Sequence, residues 1–126
     1  MLWFMGDSIV EQAVKDFAGE QTFESTAIPD ATPEQVWTEQ KHFGRRRWTE
    51  PPTVVCFINS LDYDSEGTMW HILSMIPKES TVFFLYLPSE KVKEGLAHYP
   101  SGTFTPVEIA SVEHNEVLEK LLEAQG

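Results

Sequence analysis

Thr53-Val54-Val55-Cys56-Phe57-Ile58 is an unbroken apolar, β-branched run, bounded by Pro51-Pro52 on one side and Asn59-Ser60 on the other. Its length suits a strand, and branched side chains fit a pleated surface. A strand with one wet face would alternate apolar and polar residues. This run does not alternate, so both of its faces are expected to be buried, as in the middle of a parallel sheet. Thr81 to Leu87 (TVFFLYL) reads the same way, and Leu2-Trp3-Phe4-Met5, ending at Gly6, is a shorter buried run. Two weaker strands are expected at Thr22 to Ile28 and at Val107 to Val112.

The segments between these runs carry helical periodicity. Ile9, Val10, Ala13, Val14 and Phe17 fall on one face, with Gly19 as a stop. Thr32-Pro33-Glu34-Gln35 is a capping box with proline at the first helical position, and it opens a helix bearing Val36, Trp37 and Phe43 that Gly44 can close. Asp64 or Ser65 can cap a helix with Met69, Trp70, Leu73 and Ile76, which Pro77 ends. Ser89 opens a short helix with Val92 and Leu96, and Val117, Leu118, Leu121 and Leu122 mark a last amphipathic helix.

Strands that alternate with helices are joined by right-handed crossovers and pair in parallel. The predicted fold class is therefore α/β. It is a three-layer, five-stranded parallel sheet in the order 2-1-3-4-5 with helices on both faces, in a single domain spanning 1–126. A hydrophobic content of 41% is enough to fill such a core and argues against disorder.

The net charge of −11 argues against recognition of nucleic acid through its phosphates, and equally against an anionic membrane surface. No run approaches the ~20 apolar residues that a membrane span needs. The excess of carboxylates serves solubility or meets a basic protein partner. Cys56 is the single cysteine, so no internal disulfide can form. It is read as a small buried hydrophobe in a chain suited to a reducing, cytoplasmic compartment. No G-x-G-x-x-G follows the first strand, and no cofactor is expected.

In a sheet of this order, ligands bind beyond the carboxyl ends of the strands, where strand order reverses. That rule selects the loops holding Gly6, Asp7 and Ser8; Pro29, Asp30 and Ala31; Asn59, Ser60, Asp62 and Asp64; Pro88 and Ser89; and Glu113, His114 and Asn115. Ser8 stands where a strand turns into a helix, so its hydroxyl can reach the sheet edge; alternatively Ser8 or Asp7 only caps the helix. Of the four histidines, His114 alone follows a strand on the same edge, where it can act as a base or simply open a helix in water. Asn59 can donate its amide to an oxyanion or serve its own turn. Asp7, Asp30, Asp62 and Asp64 could instead group around Mg²⁺. Arg45-Arg46-Arg47-Trp48 could hold a phosphate or carboxylate, or complement a helix C-terminus.

Met5-Gly6-Asp7-Ser8-Ile9-Val10 resembles the first block of the SGNH or GDSL hydrolase superfamily, where Gly-Asp-Ser follows the first strand. Thr53 to Asn59 is similar to the apolar strand leading to that family's third-block Asn, and His114 stands where the family places its base. The resemblance implies a flavodoxin-like sheet and an esterase or acyltransferase acting on a small ester-linked acyl group. It implies Ser8 as nucleophile, His114 as base, and Asn59 with the Ser8 N–H as oxyanion donors. Asp7, Asp30, Ala31 and Ser60 would line the substrate site, with no metal required. Ser111 occupies the position of the family's acid, so the catalytic unit implied is a Ser-His dyad. The alternative is a non-catalytic relative, viral or regulatory, that binds a partner through its acidic surface.

Overall fold

The structure is a computed structural model that describes residues 1–43, 49–59, 74, 76–96 and 104–126. Five strands run through it: β1 (Leu2–Gly6), β2 (Phe23–Ser25), β3 (Thr53–Phe57), β4 (Val82–Tyr86) and β5 (Phe104–Glu108). A 3-10 turn (Ser8–Val10) leads into α1 (Glu11–Ala18), and α2 (Pro33–Phe43), α3 (Glu90–Leu96) and α4 (His114–Gln125) follow. The strands form one all-parallel sheet in the order β2-β1-β3-β4-β5, as the alternating pattern predicts.

Both faces of the sheet are buried, which is why its strands read as continuous apolar runs. Leu2, Phe4, Val55, Phe57, Phe83 and Leu85 point to one face and pack under Val14 and Phe17 of α1 and Val117 and Leu121 of α4. Phe17 meets Phe83 edge-on, with ring centroids 5.8 Å apart. Trp3, Met5, Val54, Cys56, Ile58, Val82 and Phe84 point to the other face, under Val36 of α2 and Val92 of α3. Each large side chain fully buried in this way stabilises the fold by about 1.5–3 kcal/mol. The Trp3 indole N–H, deep in the second layer, donates to Thr26 Oγ1 at 3.1 Å.

The capping box closes as its residue types require: Thr32 N–H donates to Gln35 Oε1 at 2.9 Å, and Gln35 N–H donates to Thr32 Oγ1 at 3.2 Å. Ser89 Oγ accepts from Val92 N–H at 3.4 Å ahead of α3. The expected fifth strand is displaced: pairing with β4 runs from Phe104 to Glu108, three residues earlier than the apolar run suggests. The cause is Pro106, which discourages a strand reading but is tolerated at an edge, where half of the backbone groups lack a partner strand. Ile109, just past the strand, still donates its N–H to Tyr86 and is fully buried. The expected helix with Met69, Trp70 and Leu73 lies outside the described residues, as does the Arg45 to Trp48 cluster. No helix among the described residues is long and apolar enough to cross a membrane.

Candidate functional site

The carboxyl edge of the sheet is shaped by Gly6. Its φ of 116° lies in the region open to glycine, and a Cβ there would run into the carbonyl of Phe57 on β3. This close approach continues into the turn, where Asp7 N–H donates to Phe57 O at 2.7 Å and Ser8 N–H donates to Ile28 O at 3.0 Å. Asp7 forms a parallel bridge with Ile28, so the link to the β2 side resumes beyond the end of that strand. The Asp7 carboxylate is buried at 2% exposure and accepts from Ile9 N–H at 3.0 Å. Asp7 thus caps the 3-10 turn.

Ser8 is half-buried at the start of the 3-10 turn. Gly6 pairs with Phe57, so Ser8 and Asn59, each two residues further on, leave the sheet from neighbouring strands. Asn59 is exposed. Asp30 is also exposed and holds a left-handed backbone, φ 51°, in the loop after β2. Ala31 is fully buried and packs in the layer under α2. Ser60, Asp62 and Asp64 lie outside the described residues.

A recess of about 110 Å³ opens between the exits of β3 and β4, with Ile58, Asn59, Tyr86, Pro88 and Ser89 in its wall. The Tyr86 hydroxyl is held above its ordinary pKa of 10.0 by burial and by the nearby carboxylates of Glu108 and Glu90. The β2 side of the edge is tied down by Ser25, whose Oγ–H donates to Glu11 Oε1 at 2.5 Å while the same oxygen accepts from Ala27 N–H at 3.1 Å.

His114 opens α4, but its ring is engaged away from Ser8. Nε2 lies 2.6 Å from Asp16 Oδ2 on α1, and Nδ1 lies 3.3 Å from Asn115 Oδ1. A carboxylate only accepts, so Nε2 carries a proton. The bond to Asp16, and then that to Asn115, raise the His114 pKa above 6.5; the bond to His114, and then that from Gln12, lower the Asp16 pKa below 3.8. Eight residues of helix and turn separate Ser8 from Asp16, an axial rise of about 12 Å. No hydrogen bond joins Ser8 to His114 among the described residues. Ser8 and Asn59 thus leave the sheet from neighbouring strands, while His114 is held against α1.

Asp16 is the partner that sequence reading misses. It lies 98 residues from His114, and its only local signal is the helical spacing that lets Gln12 Nε2 donate to its Oδ1 at 3.0 Å. Among the described residues, no three His, Cys, Asp or Glu side chains gather as a metal site would require.

Together these features define a three-layer α/β protein of flavodoxin-like strand order with a small recess at the ends of β3 and β4. Comparison with protein-family models, with curated proteins and with solved structures gave no match.

Proposed function

We propose that the chain is an interaction module without ester chemistry of its own, built on an SGNH-like scaffold and engaging a basic protein partner through its acidic surface. One observation carries this reading: the groups that an esterase would need free are committed within the fold. The Ser8 N–H is spent on the Ile28 carbonyl, and the His114 ring is held by Asp16 and Asn115. An oxyanion donor must point at the developing charge, and a general base must reach the nucleophile. A net charge of −11 supports a basic partner over nucleic acid or an anionic membrane.

A second reading is favoured by the neighbouring exits of Ser8 and Asn59. In it the chain is a small serine esterase or acyltransferase, with Ser8 as nucleophile, Asn59 as oxyanion donor and His114 as base after leaving Asp16. Hydrolysis of p-nitrophenyl acetate by the wild type and by Ser8→Ala decides between the two. Equal rates support the interaction module. A rate that collapses with Ser8→Ala overturns it in favour of the hydrolase.

A further inference from the structure

We propose that the recess between the exits of β3 and β4 binds a primary ammonium on a short alkyl chain, carried by a free amine or by a lysine side chain; this goes beyond the interaction-module reading and does not rest on it. The recess holds about 110 Å³. One water needs ~10–15 Å³, so an alkyl chain of about four carbons with its ammonium fits. Val82, Phe84 and Tyr86 alternate onto the layer under α2 and α3, and Tyr86, the last of them, ends that layer at the recess. Ile58 and Val92, both buried, give the alkyl chain an apolar wall.

Tyr86 is 8% exposed, yet its hydroxyl makes no hydrogen bond among the described residues. Buried polar groups are nearly always paired, so a hydroxyl left open on the wall of a recess is a place for a ligand atom. The charge around it selects the sign of that ligand. Glu108 is the β5 partner of Tyr86 across the sheet, so the two side chains share a face, and Glu90 opens α3 just beyond. Burial first, and then these two carboxylates, hold the Tyr86 hydroxyl above its ordinary pKa, which places both charges within electrostatic reach of it. Neither carboxylate is paired with a lysine or arginine among the described residues, and the wall itself carries no Lys, Arg or His. An anion is therefore repelled and a cation drawn in. A primary ammonium gains most, because its N–H donors suit the oxygens of Tyr86, Asn59 and Ser89 and its charge suits an aromatic face. Ser89 Oγ accepts from Val92 N–H at 3.4 Å, which fixes its place at the rim.

The test follows the amide NMR shifts of Ile58, Asn59 and Ser89 in the full chain as n-butylammonium chloride is added at constant ionic strength. The uncharged n-butanol, of the same shape, is titrated beside it. Tyr86→Phe removes the hydroxyl and keeps the ring, and Glu90→Gln with Glu108→Gln removes the charge at two exposed positions. As a control, Glu34→Gln with Glu39→Gln makes the same change in net charge on the exposed face of α2. Saturable shifts that Tyr86→Phe weakens about tenfold, the Glu90 and Glu108 variant about fivefold, and the α2 control less than about twofold, support the proposal. No saturable shift, an equal response to n-butanol, or equal weakening by the α2 control overturns it. Where Tyr86→Phe disturbs the amide spectrum before any titrant is added, the Glu90 and Glu108 variant decides. Nα-acetyl-lysine methylamide separates the two sources: tighter binding than n-butylammonium assigns the site to a lysine of a protein, and weaker binding assigns it to a free amine.

Discussion

His114 Nε2 lies 2.6 Å from Asp16 Oδ2 and pins the first turn of α4 to the second half of α1. The two helices cover the same face of the sheet, so the pair works as an external strut on the layer that holds Phe17 and Leu121. Both partners are more than two-fifths exposed, so water and salt screen the interaction.

The pH dependence follows from the directions of the two shifts. His114 is raised above 6.5, so its contribution is full below that value and is lost as pH climbs through the raised pKa. Asp16 is lowered below 3.8, so its contribution is present above that value and is lost as pH falls through the lowered one. The strut is therefore strongest between pH 3.8 and 6.5. Melting temperatures of wild type and His114→Asn should differ most in that window and converge under alkaline conditions. A gap that is constant across pH would contradict a charge-assisted bond.

Gly6→Ala should be among the most damaging single substitutions. The new methyl meets the Phe57 carbonyl, and the backbone holds a φ that alanine adopts only under strain. Strain and overpacking together suggest a loss of about 3 kcal/mol or more. Urea unfolding measures it; a loss below 1 kcal/mol would mean that the β1–β3 approach relaxes easily.

The Cys56 thiol should be inert in the native protein. Burial pushes its pKa up to about 12, and the thiolate is the reactive form. Dithionitrobenzoate should label it slowly in buffer and at once in denaturant. Rapid native labelling would show that the layer under α2 opens readily.

The capping box ahead of α2 gives a local stability prediction. Thr32→Ala removes the acceptor for Gln35 N–H and should cost about 1 kcal/mol, while Thr32→Ser should recover most of it. Thermal unfolding of the two variants checks this; equal melting temperatures would mean that the packing of Val36 alone holds the helix end.

The elements legible in the sequence are those whose residues answer to one local rule. Thr53 to Phe57 shows no polar alternation because Val55 and Phe57 fill one core layer while Val54 and Cys56 fill the other. Thr32 and Gln35 announce α2 through side chains three residues apart. β5 is misplaced because its pairing with β4 overrides a local pattern in which Pro106 looks like a break. The candidate site is less legible, since its outcome depends on long-range partners. The place of Ser8 at the edge follows from β1, but the use of its N–H depends on the Ile28 carbonyl. The orientation of His114 depends on how α1 and α4 settle beside each other, and no spacing within either helix encodes that.

The position of β1 carries a consequence for how the chain is made. Leu2 is hydrogen-bonded territory for two neighbours at once, aligning with Phe23 on one side and Thr53 on the other. Within this sheet, the strand synthesised earliest is thus an inner strand, and it waits with one edge unsatisfied until residues 53–57 have also emerged. During that interval Trp3, Phe4 and Met5 have no finished layer to enter, and nascent chains in this state are the ones that chaperones hold. Synthesis pauses before residue 57 should therefore raise aggregation more than pauses placed after it.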